Sequence, residues 1–123
     1  MTIRIETGAD KRCCVFVDGN MTIYEAATDK LVVLQALAEA NETEIDLSSV
    51  REMDTAGLQI LILAKRESVK AGKVMRLVAP SPISLDVIDR YGLASYFTPF
   101  LDRATVASSN KKPRRRGDSK RRV

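Results

Sequence analysis

The amino-acid sequence predicts a single α/β domain over residues 1–103, with a mixed four- to five-stranded sheet and helices packed mainly on one face. Residues 104–123 follow as a basic disordered tail. Three observations predict the domain. Strand-like runs at Cys13–Val17, Glu44–Leu47 and Val74–Val78 are separated by stretches with three- and four-residue apolar spacing, and strands that alternate with helices imply parallel crossovers. The first two strand-like runs, Thr2–Thr7 and Cys13–Val17, lie too close for a crossover helix, so they pair antiparallel. Leu58-Gln59-Ile60-Leu61-Ile62-Leu63-Ala64 is nearly all apolar, and such a helix is buried against a sheet.

Taken in order, Thr2–Thr7 alternates Ile3 and Ile5 with polar residues and reads as a strand with one wet face. Cys13–Val17 is apolar throughout and reads as a central strand, ended by the turn residues Asp18-Gly19-Asn20. Thr22-Ile23-Tyr24-Glu25 matches a capping box, Thr22 at the N-cap and Glu25 three residues on. The helix it opens runs to about Ala40, with Ala26, Ala27, Leu31, Leu34, Leu37 and Ala38 as its core face. Ile45 and Leu47 mark the next strand, followed by a tight loop from Ser48 to Met53. A second helix starts at Thr55 or Ala56 and ends at Ala71, with Gly72 as its stop. Val74–Val78 is a strand, Pro82 suits the first turn of a helix to Tyr91, and Gly92 ends it. Leu93–Phe97 reads as a short turn and an edge strand, with Leu101 the last anchored residue.

The totals exclude several chemistries. The chain has no His, which removes the commonest general base and metal ligand. Cys13 and Cys14 are adjacent, a spacing that strains a disulfide and builds no zinc site, so they read as buried strand residues in a reducing cytosol. No base–nucleophile constellation is present, so no enzyme, cofactor or metal is expected. The charged N-terminus and the lack of a long apolar run predict a cytoplasmic protein. Of 20 basic residues, eight lie in 104–123 beside one acidic residue; the rest of the chain holds 12 basic and 15 acidic residues, a net −3. The tail alone makes the protein basic. Arg114-Arg115-Arg116 and Lys120-Arg121-Arg122 suit weak contact with nucleic acid or an anionic membrane, without base stacking, since no aromatic follows Phe100.

The strongest signal is Asp54-Thr55-Ala56-Gly57-Leu58. It puts a hydroxyl beside a carboxylate at the N-terminus of a buried helix, beyond a strand's carboxyl end, where open α/β sheets bind ligands. Exposed N–H groups and the helix dipole there favour an added phosphate. The plainer alternative is that Asp54 and Thr55 only cap the helix.

That pentapeptide, preceded by Ile45-Asp46-Leu47-Ser48 and followed by the apolar helix, resembles the signature of the STAS family, which includes bacterial anti-sigma factor antagonists. The resemblance runs from about Arg4 to Phe97 and takes in the Gly72–Leu77 strand and Tyr91-Gly92-Leu93. It implies the mixed-sheet fold and a regulatory binding module. It also implies a protein partner, a serine/threonine kinase-type anti-sigma factor or a sensory regulator, with Thr55 as the site that the kinase phosphorylates and a phosphatase restores. Asp54, Asn20, Thr22, Met53, Ala56, Gly57 and Leu58 are the expected partner-binding residues. No small-molecule substrate is implied. Family members regulated in this way usually carry Gly-Glu-Leu-Asp before the first helix, whereas this chain has Gly19-Asn20-Met21-Thr22. Local wording around Met21–Ala27 and Ile62–Glu67 resembles STAS proteins of chemotaxis and sensory systems. The alternative reading is a constitutive STAS subunit of a lipid-transporting ABC system, with no phosphate cycle.

Overall fold

The structure, a computed structural model, describes residues 2–98. Four strands form one sheet in the order β1-β2-β3-β4: β1 (Thr2–Thr7), β2 (Arg12–Met21), β3 (Glu42–Met53) and β4 (Val74–Val78). β1 pairs antiparallel with β2, and β2, β3 and β4 are parallel. The helices are α1 (Ala26–Glu39), α2 (Thr55–Lys70), α3 (Pro82–Arg90) and α4 (Ala94–Phe97). The mixed sheet is therefore as the sequence predicts, with four strands among the described residues. The expected edge strand at Leu93–Phe97 is replaced by α4, which seats Phe97 in the core. Leu101 and the basic tail lie outside the described residues.

One face of the sheet carries the core. Cys13, Val15 and Val17 of β2 stand beside Thr43, Ile45 and Leu47 of β3 and Met75 and Leu77 of β4. α1 and α2 are successive crossovers that advance in one direction across the sheet, and the common right-handed crossover places both on the same face. They pack on each other there, through a cluster that includes Val33, Leu37, Leu58, Leu61 and Ala64. α3 lies against β3; Ser81 N–H donates to Leu47 O at 3.2 Å, and Val87 and Ile88 join the cluster that holds Val50 and Met53.

Three local expectations are corrected. The Asp18-Gly19-Asn20 turn and the Ser48–Met53 loop do not exist; both segments extend their strands and pair with each other, Asp18 with Ser49 and Met21 with Met53. The turn-forming residues are absorbed as irregularities of register at Phe16/Asp18 and Gly19/Asn20, Gly19 taking φ 107, the use of glycine expected at a bulge. The capping box does not form either. Thr22–Glu25 is a turn, Glu25 N–H donating to Thr22 O at 3.1 Å, and α1 starts at Ala26 with no side-chain cap. Finally, α1 buries Asp29, Val33, Ala36 and Leu37, followed by the buried Ala40 at its C-cap, while Ala27, Leu31 and Ala38 of the expected core face are exposed.

The opposite sheet face is charged. Arg12 and Arg76 reach Glu42 at 3.6 and 3.4 Å, and the Arg4 guanidinium sits 4.0 Å above the Phe16 ring. Cys14 is buried there, and desolvation, reinforced by Asp46 and Glu44, pushes its thiol up to about 12. Glu44 is 7% exposed, with Oε1 unpartnered among the described residues. Burial raises its pKa above the ordinary 4.5, against the opposing pull of Arg76 and Arg12. The native state therefore keeps the proton at pH values where the unfolded chain has lost it, and stability falls as pH rises through that range. Glu44→Gln is expected to be more stable than the parent at neutral pH, the gain vanishing below about pH 4, where both states are protonated. Urea titrations at the two pH values check this; a loss at neutral pH would show that Arg12 and Arg76 outweigh the burial.

Candidate functional site at the N-terminus of the second helix

β3 delivers the chain to the end of the sheet at Met53, and α2 begins two residues later. Asp54 is its N-cap. Its Oδ1 accepts from Ala56 N–H at 2.9 Å and Gly57 N–H at 3.1 Å, satisfying two of the donors that a helix start leaves open. Its Oδ2 accepts from Ile23 N–H at 3.0 Å, and its own N–H donates to Met21 O at 3.2 Å. One carboxylate thus ties the α2 start to the segment that leaves β2.

Gly57 makes this closeness possible. A Cβ at this position would stand 2.3 Å from Met21 O and 2.7 Å from Met21 Cβ. The helix rests on the backbone at the end of β2, where no side chain can swing aside. Of the expected partner-binding residues, Gly57, Met53 and Leu58 are buried.

Thr55 is the first residue of α2 and is exposed; its hydroxyl has no hydrogen bond among the described residues. Beside it Ala56 is half-buried, as are Asn20 and Thr22, and Asn20 stands opposite Glu52 in the β2–β3 register. The structure thus brings the ends of β2 and β3 and the start of α2 together at one end of the sheet. The expectation that open N–H groups await a phosphate is corrected, since Ala56 and Gly57 N–H are both taken by Asp54. An added phosphate would stand outside the cap, next to a carboxylate.

The sequence reading missed Ile23 and Tyr24, which are 68% and 93% exposed on the turn held by Asp54. Two large apolar side chains beside a turn were a visible signal, but the capping-box match assigned them to a helix. Among the described residues, no group of three or more His, Cys, Asp or Glu side chains is placed to hold a metal ion, and no helix is long and apolar enough to cross a membrane.

The model of the family described as "Mlab, STAS domain" matches residues 6–101. An anti-sigma factor antagonist from Mycobacterium paratuberculosis is 26% identical, with a TM-score of 0.71 over 81% of this chain and 84% of that one. A candidate anti-sigma factor antagonist from Thermotoga maritima is 16% identical, with a TM-score of 0.76 over 89% and 95%. The Bacillus cell fate determinant SpoIIAA in its phosphorylated form is 14% identical, with a TM-score of 0.69 over 88% and 96%. The last two likenesses show the fold alone. No curated protein matches the chain in sequence. The family model spans most of the chain: the chain belongs to the STAS domain family.

Proposed function

We propose that the chain is an anti-sigma factor antagonist-like binding module that docks on a kinase-type anti-sigma factor or sensory regulator and is switched by phosphorylation of Thr55. The observation that supports this is the division of labour at the α2 start. Asp54 alone makes the cap, which leaves the Thr55 hydroxyl exposed and unbonded. A residue needed only for capping would spend its oxygen on the backbone.

A phosphate adds about −2 charge at this point. With Asp54 already filling the Ala56 and Gly57 N–H groups, that charge stands outside the cap on the exposed face, and like-charge juxtaposition across an interface costs several kcal/mol. Thr55→Glu is expected to weaken partner binding about a hundredfold, or about 2.7 kcal/mol, and Thr55→Ala to leave it intact. Isothermal titration of the three proteins against the partner kinase checks this; equal affinity for Thr55→Glu and the parent would overturn the switch. Mass spectrometry of protein from native cells, with and without phosphatase, supplies the independent test. It is expected to show a phosphatase-sensitive phosphate on Thr55. In this reading the module works in the cytoplasm without chemistry or cofactor of its own, and the basic tail adds weak contacts to nucleic acid or anionic lipid.

The second reading, a constitutive subunit of a lipid-transport ABC system, is favoured by one observation. Asn20 and Thr22 stand where phosphate-regulated members carry acids, so a kinase that reads those acids finds none. An unmodified mass across growth conditions would select this reading and leave Thr55 as a contact residue.

A further inference from the structure

A groove runs between α1 and α2, from Ala56 beside Thr55 toward Lys73. On α1, Ala27, Leu31, Leu34 and Ala38 recur at steps of four, three and four residues, the spacing of one helix face. The core takes mainly a different stripe: of this row only Leu34 packs partly against it, while Ala27 and Ala38 are exposed and Leu31 is 66% exposed. Ala56 and Leu63 of α2 line the facing wall. The groove opens into hollows of about 400 Å³ at the Ala56 end and about 420 Å³ at the Lys73 end. The Ser68 hydroxyl, on a residue only 2% exposed, lines the second hollow and has no hydrogen-bond partner among the described residues.

The charges around the groove select its occupant. Lys30 and Arg66 line the first hollow, and neither forms an ion pair among the described residues. Lys73 lines the second and donates to Leu37 O at 3.1 Å and Ala38 O at 2.8 Å. The one acidic residue on the lining, Glu67, already faces Lys70 at 3.6 Å. An apolar floor with a positive rim repels the chain's own basic 104–123 segment and matches an acidic amphipathic helix. We propose that the α1–α2 groove docks such a helix from a partner protein, its apolar stripe on Leu31, Leu34 and Leu63 and its flanking carboxylates on Lys30 and Arg66. Because the groove starts at Ala56, a phosphate on the adjacent Thr55 would repel the same helix; that coupling rests on the phospho-switch reading, while the groove does not.

The probe is a fluorescein-labelled helical peptide about 18 residues long, long enough to hold a helix, with Leu at one-face spacing and Glu on both flanks. A second peptide carries Lys in place of Glu. The acidic peptide is expected to bind the full chain and to shift the NMR signals of Leu31, Leu34 and Leu63. The double variant Lys30→Glu/Arg66→Glu, which alters only exposed side chains and so keeps the fold, is expected to bind it at least about tenfold more weakly and to prefer the Lys peptide. The groove assignment is overturned by equal binding of the two peptides to the parent, by shifts that map to the charged sheet face, by sedimentation showing that Leu31→Glu dissolves a dimer, or by binding confined to anionic vesicles. Thr55→Glu separates the two readings: if it leaves peptide affinity unchanged the groove stands and the coupling falls.

Discussion

Gly57→Ala is expected to lower the thermal midpoint by about 12 °C or more. The added methyl would meet the Met21 carbonyl oxygen at 2.3 Å and the Met21 carbonyl carbon at 3.0 Å. Both atoms belong to backbone paired into the sheet, so relief requires α2 to lift off the end of β2. Lifting it stretches the Ile23 N–H to Asp54 and Asp54 N–H to Met21 bonds together. Overpacking of this kind costs up to about 3 kcal/mol when a neighbour can yield and more when it cannot, and for a domain of this size each kcal/mol is worth about 4 °C or more. Alanine would be the better residue for the helix itself, by about 1 kcal/mol, so a destabilised variant reports the contact and not propensity. Thermal circular dichroism measures it. A midpoint within two degrees of the parent would mean that α2 does not rest on Met21.

Asp54→Ala is expected to cost about 2 to 4 kcal/mol, and Asp54→Asn clearly less. The alanine variant loses the cap to Ala56 and Gly57, worth about 1 kcal/mol, and the charge-assisted bond from Ile23, worth about 1.5 to 3 kcal/mol. Asparagine is as good a cap as aspartate, so it keeps the Oδ1 bonds. Its amide NH₂ must then face the Ile23 N–H, two donors toward each other. The gap between the parent and the Asn variant therefore isolates the strap from α2 to the turn, and the gap between the Asn and Ala variants isolates the cap. Denaturant unfolding gives the stabilities, and backbone NMR at Ile23 and Tyr24 tells whether the turn is released. Equal stabilities for the Asn and Ala variants would show that the strap to Ile23 carries the whole effect and the cap none.

These two residues also show how much of the site was legible. That a cap stands at Asp54 or Thr55 could be read from residue types in order, because capping is a local interaction satisfied within one turn; the structure gives the cap to Asp54. The role of Gly57 could not, since its neighbour is Met21, on a strand more than thirty positions away. The double duty of the Asp54 carboxylate was hidden for the same reason. Met53 and Leu58 read as surface candidates because an apolar residue beside a motif carries no mark of which way it points.

Apart from α4, expected as an edge strand, the main helices and strands, their order and the mixed sheet followed from the sequence alone. Two well-placed glycines at Gly72 and Gly92 and Pro82 at the start of α3 are short-range signals, and the structure uses each of them. What only the tertiary structure decided was which apolar residues the core would take and where strands would stop. β2 and β3 run on through Gly19 and Ser48–Met53 because each supplies the other's hydrogen bonds, overriding the local preference for a turn. α1 presents Val33 and Ala36 inward and leaves Leu31 outside because it must pack on both the sheet and α2, a requirement that the α1 sequence does not contain. Local chemistry sets the elements, whereas the pairing of distant backbone sets their ends and faces.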